Sequence, residues 1–366
     1  MKKLIGLLLL LFIIPWVEAQ QIDHFKPKSP NVNTKLELIQ NNRKGNKTQN
    51  KEPDYALYRS ITHKFSWIVG VGDPITQEVA NHLPYYFKLA LKNKQGHWQH
   101  ILAMHGDSLT SHHNLGTYIL DPENDTSEEN REWRDKLSLV CQWYLTSDIS
   151  GEHVVEERAY DKDGYMVYGF QPIHNGHNRV VGSYINGYGY PVDIAESEDY
   201  TYGNVVMITY DKFGYDSIID YLDGKGLRRF NNDGVDQRQN IYDSKGRLLQ
   251  STSNNAVGDY MIDNWGNCGN LYKYNDAENS YTITRIDSEL KPMRMPTGRA
   301  GYLDTYIHCK VMLDHWGREK EKIFLDDKGN PDTTLQGIHR VVFEYSDNGI
   351  LLNEKYFDLN EKPMEF

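Results

Sequence analysis

Apolar and polar positions alternate with a period of two along much of this 366-residue chain. In YYFKLALKNKQGHWQHILAMH, Tyr85, Phe87, Leu89 and Leu91 alternate with Tyr86, Lys88, Ala90 and Lys92; NKQG follows, and the alternation resumes over 97–105. A period of two puts every second side chain on one face, so this stretch predicts a β-hairpin that turns at NKQG. LSLVCQWYL reads as a further strand. TSEENREWRDKL, residues 126–137, is the best helix candidate, with Thr126 or Ser127 as cap and acidic residues in the first turn. Residues 53–150 therefore read as a small α+β unit. Residues 20–52 are polar, lack apolar periodicity and read as a disordered linker.

From residue 151 to 366 a short motif recurs between strands: an aromatic or aliphatic residue, Asp or Asn, two variable residues, then Gly. It stands at YDKDG (160–164), INGYG (185–189), YDKFG (210–214), LDGKG (222–226), YDSKG (242–246), IDNWG (262–266), LDHWG (313–317), LDDKG (325–329) and YSDNG (345–349). Degenerate copies stand at YNDAE (274–278), IDSEL (286–290) and FDLNE (357–361). The glycine positions are separated mostly by steps of 12 or 20 residues, the signature of a repeat array. Asp or Asn starts a turn by accepting from its own backbone two residues on, and Gly supplies the positive φ of a tight or bulged hairpin. The fold class expected is mainly β: an antiparallel β-hairpin repeat array, as an extended sheet or a solenoid, preceded by the small α+β unit.

YDSKGRLLQSTSNNAVG (242–258) resembles a YD-repeat of the Rhs type through Tyr242, Asp243, Gly246, Arg247, Leu248 and Gly258. The Trp-Gly pairs at 265–266 and 316–317 are similar to WG-type β-repeats, and the closing run resembles hairpin arrays of exported proteins of Bacteroidetes-like bacteria. The resemblance covers roughly 151–366. It implies a sheet or solenoid used for binding or display, and carries over no catalytic residue.

Composition narrows the function classes. The chain opens MKKLIGLLLLLFIIPWVEAQ, in which two lysines precede an apolar run from Leu4 to Val17. This reads as a signal peptide cleaved after Ala19, hence an exported protein, periplasmic, secreted or on the cell surface. No later segment has the length of a spanning helix. The net charge of −11 argues against a nucleic-acid partner, whose binders show a basic face. Cys141, Cys268 and Cys309 allow at most one disulfide, and the pairing stays open. Cys141, inside LSLVCQWYL, reads as an inert buried thiol. There are 26 tyrosines and 29 glycines, a composition that suits β-structure with many turns.

Three groups of residues could carry chemistry. HGDSLTSHH (105–113) contains Gly-Asp-Ser-Leu, the nucleophile signature of an esterase and lipase family, which nominates Ser108. The Asp-x-x-His of that family has no match downstream, and a serine nucleophile needs its base within hydrogen-bond reach. His97, His100, His105, His112 and His113 crowd one stretch, and His97, His105, Asp107 and His112 are the candidates for a surface metal. Flat aromatic faces beside Asn and Asp nominate Tyr184, Tyr188, Tyr190, Tyr202, Trp265 and Trp316 as a binding surface for a sugar. Asp-rich turns such as DKDG read as Asx-turns ahead of calcium sites. The function expected is non-catalytic binding or scaffolding at the bacterial cell envelope, with a protein or glycan partner and no cofactor. The alternative is a hydrolase, either an esterase using Ser108 or a metal-dependent enzyme using the 97–113 histidines.

Overall fold

The structure, a computed structural model, describes residues 55–365 apart from 112–138, 175, 177, 188, 190–204, 224, 232–233 and 297–302. The helix expected at 126–137, the linker and the signal peptide lie outside the described residues. Strand β1 (Tyr55–Tyr58) leads to a small hairpin, β2 (Ile61–Lys64) and β3 (Trp67–Gly70), then to the five-residue helix α1 (Gln77–Asn81). The expected hairpin follows as β4 (Tyr86–Lys92) and β5 (Trp98–His105), with the short β6 (Ser108–Leu109) folded back on β5. Next come β7 (Gln142–Ser147), β8 (Val154–Tyr160), β9 (Met166–His174) and β10 (Arg179–Asn186).

The repeat region continues as β11 (Val205–Tyr210), β12 (Asp216–Leu222), β13 (Gln237–Tyr242), β14 (Leu248–Asn254), β15 (Gly269–Asn275) and β16 (Ser280–Ile286). It closes with β17 (His308–Leu313), β18 (Glu319–Leu325), β19 (Arg340–Tyr345), β20 (Leu351–Phe357) and β21 (Pro363–Met364). All but β2 and β3 join one antiparallel sheet of 19 strands. From β7 to β21 every strand pairs with its neighbour in sequence, while β1 sits beside β4, and β5 beside β7. The hairpin array is therefore present. The sheet does not break at residue 150, where β7 pairs with β8.

The unit of the array is 32 residues, one 12-residue step plus one 20-residue step. Tyr210, Tyr242 and Tyr274 end successive first strands, and Leu313 and Tyr345 continue the series after a seven-residue insertion. Each motif closes as an Asx-turn: Asp211 Oδ1 accepts from the N–H groups of Phe213 and Tyr215, and Asp243, Asp314, Asp326 and Asp358 repeat the pattern. The register shifts by one residue just before the turn in β11–β12, β13–β14, β17–β18 and β19–β20. This is the bulge that a Gly in the left-handed region accommodates.

The residue four after the turn aspartate then reaches the next unit. Tyr215 packs on Tyr242, the Arg247 guanidinium lies over Tyr274, and that of Arg318 lies over Tyr345. Both arginines also donate Nε to their own turn aspartates, at 2.7 Å for Asp243 and 2.6 Å for Asp314. The turn motif thus links neighbours as well as reversing the chain.

The sheet curls around the β2–β3 hairpin. Trp67 of that hairpin stacks on His97 at 4.5 Å and donates Nε1 to the Glu152 carbonyl, while the Phe65 N–H donates to Gly214. Six strand steps separate β5 from β12, about 29 Å in a flat sheet. A two-stranded hairpin can touch both only if the sheet bends around it. Its Ile61, Trp67 and Ile68 form one continuous core with inward residues of β4, β5 and β7–β12, including Leu89, Ile101, Trp143, Tyr168, Val206 and Ile219. A second core lies on the same face under β17–β19, built from Cys309, Val311, Phe324, Ile338, Val341 and Tyr306.

In the degenerate copy at 286–290 the glycine position holds Leu290, at φ 61°. Leu290→Gly removes the left-handed penalty and is expected to raise stability by about 1 kcal/mol. Gly317, at φ 86°, has the Arg59 guanidinium where a Cβ would stand, and Gly317→Ala is expected to cost about 2 kcal/mol. Urea denaturation midpoints of the two variants check both signs.

Candidate functional site

The structure places the nominated residues apart. Ser108 is exposed and directly opposite His105 across the β5–β6 turn. His105 donates Nδ1 to the Pro84 carbonyl at 2.9 Å, and the Tyr86 hydroxyl donates to Gly106 within the turn. Ser108 therefore ends a strand hairpin instead of opening a helix. His97 lies against Trp67 at the far end of the same strand, roughly 25 Å from His105 at the usual rise per residue. His100 faces Gln142, with Nε2 3.4 Å from Oε1. Asp107 is exposed in the turn, and His112 and His113 lie outside the described residues. Among the described residues no three His, Cys, Asp or Glu side chains are grouped to hold a metal ion.

The aromatic candidates also separate. Tyr184 packs into the first core against Phe170 at 4.8 Å and Tyr168 at 6.0 Å, so its ring offers no face to a ligand. Trp316 stacks on His82 at 3.8 Å, and its carbonyl accepts both Nε and Nη2 of Arg59. That turn is docked onto the N-terminal segment. Trp265 is half-buried at its turn. Tyr188, Tyr190 and Tyr202 lie outside the described residues. The three cysteines are free thiols, all buried. Burial, with Asp161 nearby, pushes Cys141 up to about 11, and burial pushes Cys309 up to about 12. Neither is a thiolate at neutral pH.

One ionisable cluster that the sequence reading missed is assembled where the hairpin meets the sheet. His63 of β2 places Nε2 2.9 Å from Glu157 Oε2 of β8, and their side chains are 15% and 5% exposed. Asp216 of β12 is buried beside them, with Oδ1 unpartnered. Trp143 donates Nε1 to the Tyr168 hydroxyl, which hydrogen-bonds Glu157. Ser66 and Tyr210 join their hydroxyls at 2.6 Å. Glu157 points inward because it alternates with Arg158 in the row that also carries Ala159. A charge in an apolar row is the one signal in the sequence that could have flagged it.

Burial opposes charge on His63, but the charge and hydrogen bond of Glu157, with Asp216 beyond, override it and push the imidazole up to about 9. Burial pushes Asp216 up to about 6 against the pull of His63. The cluster holds protons and is walled by core side chains, so its chemistry concerns the docking of the hairpin.

No protein-family model matches the chain, and no curated protein matches it. Solved structures that resemble it include the crystal structure of TcdB2–TccC3, at 10% identity and a TM-score of 0.25, covering 81% of this chain and 12% of that one. The Tc holotoxin pore of Photorhabdus luminescens also matches, at 10% identity and a TM-score of 0.24, with the same coverage. The chain thus spans about an eighth of the proteins it resembles, and at these TM-scores the likeness carries no functional inference.

The cluster makes a pH prediction whose two parts have one sign. His63 is raised from 6.5, so its contribution is complete below that value and lost as pH rises through about 9. Asp216 is raised from 3.8, so its contribution is complete below that value and lost as pH rises through about 6. Asn330 and turn N–H groups hold Asp326 low, and the Lys362 N–H does the same for Asp358; these contributions are lost as pH falls below the usual carboxylate range. Thermal melts are expected to show a maximum near pH 5 and a lower Tm at pH 9. His63→Leu leaves Glu157 buried without its cation, is expected to cost about 3 kcal/mol, and should flatten the alkaline limb.

Proposed function

We propose that this protein is an exported, non-catalytic β-repeat scaffold that binds a protein or glycan partner at the bacterial cell envelope. The observation that carries the reading is the distribution of apolar side chains outside the two cores. Leu227 and Phe230 in one unit, and Val257, Tyr260 and Ile262 in the next, stand exposed on the connections at one end of the strands, and Leu335 stands exposed on a later connection. An array repeats its connections at a fixed interval, so these side chains form a stripe across units. Contiguous exposed apolar surface on a soluble protein marks interaction sites. That favours a protein partner, while Trp265 keeps a glycan in view. The export reading rests on the two lysines and apolar run at the start of the chain. No helix among the described residues is long and apolar enough to cross a membrane.

The reading is tested by pull-down from envelope extract with residues 20–366, beside calorimetric titration with envelope glycans and peptidoglycan fragments. An envelope protein captured by this chain is expected to be lost with Leu227→Ser/Phe230→Ser, while the Tm stays within about 1 °C because both side chains are exposed. Saturable glycan heat that Trp265→Ala abolishes would assign the glycan instead. Neither signal would remove the envelope-binding reading.

A further inference from the structure

The inward face of the array is apolar at both ends and polar in the middle, and the repeat frame shows where it changes. In the first full unit the inward positions are Val206, Ile208, Ile219, Tyr221 and Val235, all in the first core. Thirty-two residues on, the same positions hold Arg238, Asn240, Ser251, Ser253 and Asn267. The next unit has Asn270, Tyr272, Ile283, Arg285 and Tyr306, and the unit after it returns to Cys309, Val311, Phe324 and Ile338 of the second core, with Lys322 as the exception. Pairing confirms that these share a face: Ile219 lies opposite Arg238, Arg238 opposite Ser253, Ser251 opposite Asn270, and Asn270 opposite Arg285. Five apolar-to-polar replacements within one unit are more than neutral drift at a core face, since each removes apolar burial.

The polar groups are enclosed and incompletely satisfied. Asn240 and Ser253 are each 1% exposed, and Asn240 Oδ1, Ser253 Oγ and Arg285 Nε are buried without hydrogen-bond partners. Unpaired buried donors and acceptors cost roughly 1–3 kcal/mol each, so such a cluster calls for a ligand. Arg285 is held in place by Asn270 at 3.2 Å, by Asp304 at 3.3 Å and by the Tyr306 ring. Burial raises the Tyr272 hydroxyl, while Arg285, Arg238 and Asn270 act to lower it, so both guanidinium charges reach one phenol oxygen. Asp304 neutralises one of the two charges, leaving a net positive centre with hydroxyl and amide groups around it. We infer that the inward face of β13–β16 is a binding site for an oxyanion, a carboxylate or phosphate group, held between Arg238 and Arg285 with Ser253 and Asn240 completing its hydrogen bonds. Guanidinium forks are the usual partners of both groups. The site is on the opposite face of the units from the proposed partner surface and does not depend on it.

The array itself supplies the control variants, because neighbouring units show which side chains the same positions accept. Arg238→Val and Arg285→Phe install the residues found at Val206 and Phe324. Calorimetric titration of the full chain with inorganic phosphate, and separately with succinate, at constant ionic strength is expected to give saturable heat with one of them, and which one distinguishes phosphate from carboxylate. Each variant should weaken that binding at least 10-fold without lowering the ligand-free Tm. If Arg285→Phe does not fold, Ser253→Tyr, which installs the residue found at Tyr221, reads the same site. Absence of saturable heat with both probes would overturn the proposal and leave a hydrated polar interior. Wild-type affinity in Arg238→Val and Ser253→Tyr would overturn it as well.

Discussion

The docking of a nine-residue-scale hairpin against a curled sheet is the constraint on which the first half of this protein depends. A chain of antiparallel hairpins has no intrinsic reason to bend into a closed shape. Burying Trp67, Ile68 and Ile61 contributes on the order of 2 kcal/mol each, and only a sheet bent around them can bury all three. The same segment reaches onward to the turns of the repeats. Gly72 donates to the Lys245 carbonyl, Arg59 to Trp316, and Arg318 to the carbonyls of His82 and Ser346. Residues 59–83 thus touch four successive turns of the array, at Gly214, Lys245, Trp316 and Ser346, through the hairpin and the segment that follows it.

A buried ion pair at that interface is a costly way to gain stability, because desolvation offsets much of the Coulomb attraction. What the His63–Glu157 contact supplies is position. It fixes which residue of a short, four-residue strand faces β8, where apolar packing alone would tolerate a slip. The array solves its own register differently, with an Asx-turn and a bulge at almost every reversal and an arginine or tyrosine that reaches the next unit. Two means of fixing register therefore meet in one chain: local and repeated in the array, long-range and single at the hairpin.

Local rules explain why so much of the array could be read from sequence. The Asp-to-amide bonds of each turn span two and four residues, and the steps of 12 and 20 residues sum to the observed unit. The strand pair over 85–105 was legible for the same reason. The bending of the sheet was not, since His63 and Glu157 are 94 positions apart and Arg59 and Trp316 are 257 apart. Nothing in ITHKFSWIVG marks it as the element that others wrap. Ser108 and the histidines drew attention as a local cluster, but a strand separates what sequence crowds together, with His97 and His105 at opposite ends of β5. Tyr184 illustrates the converse: an aromatic next to glycines looked like a surface, and its inward register put it in the core. The polar unit at 237–268 was present in the sequence and becomes visible only once the 32-residue frame aligns Val206 with Arg238.

Hydrogen exchange on wild-type protein and on Trp67→Ala tests the organising role of the hairpin most directly. The structure predicts that amides of β8–β12 lose protection together in the variant, while β17–β19, over the second core, keep theirs. Loss confined to residues 61–70, with β8–β12 unchanged, would contradict it: the sheet would then hold its curl without the hairpin.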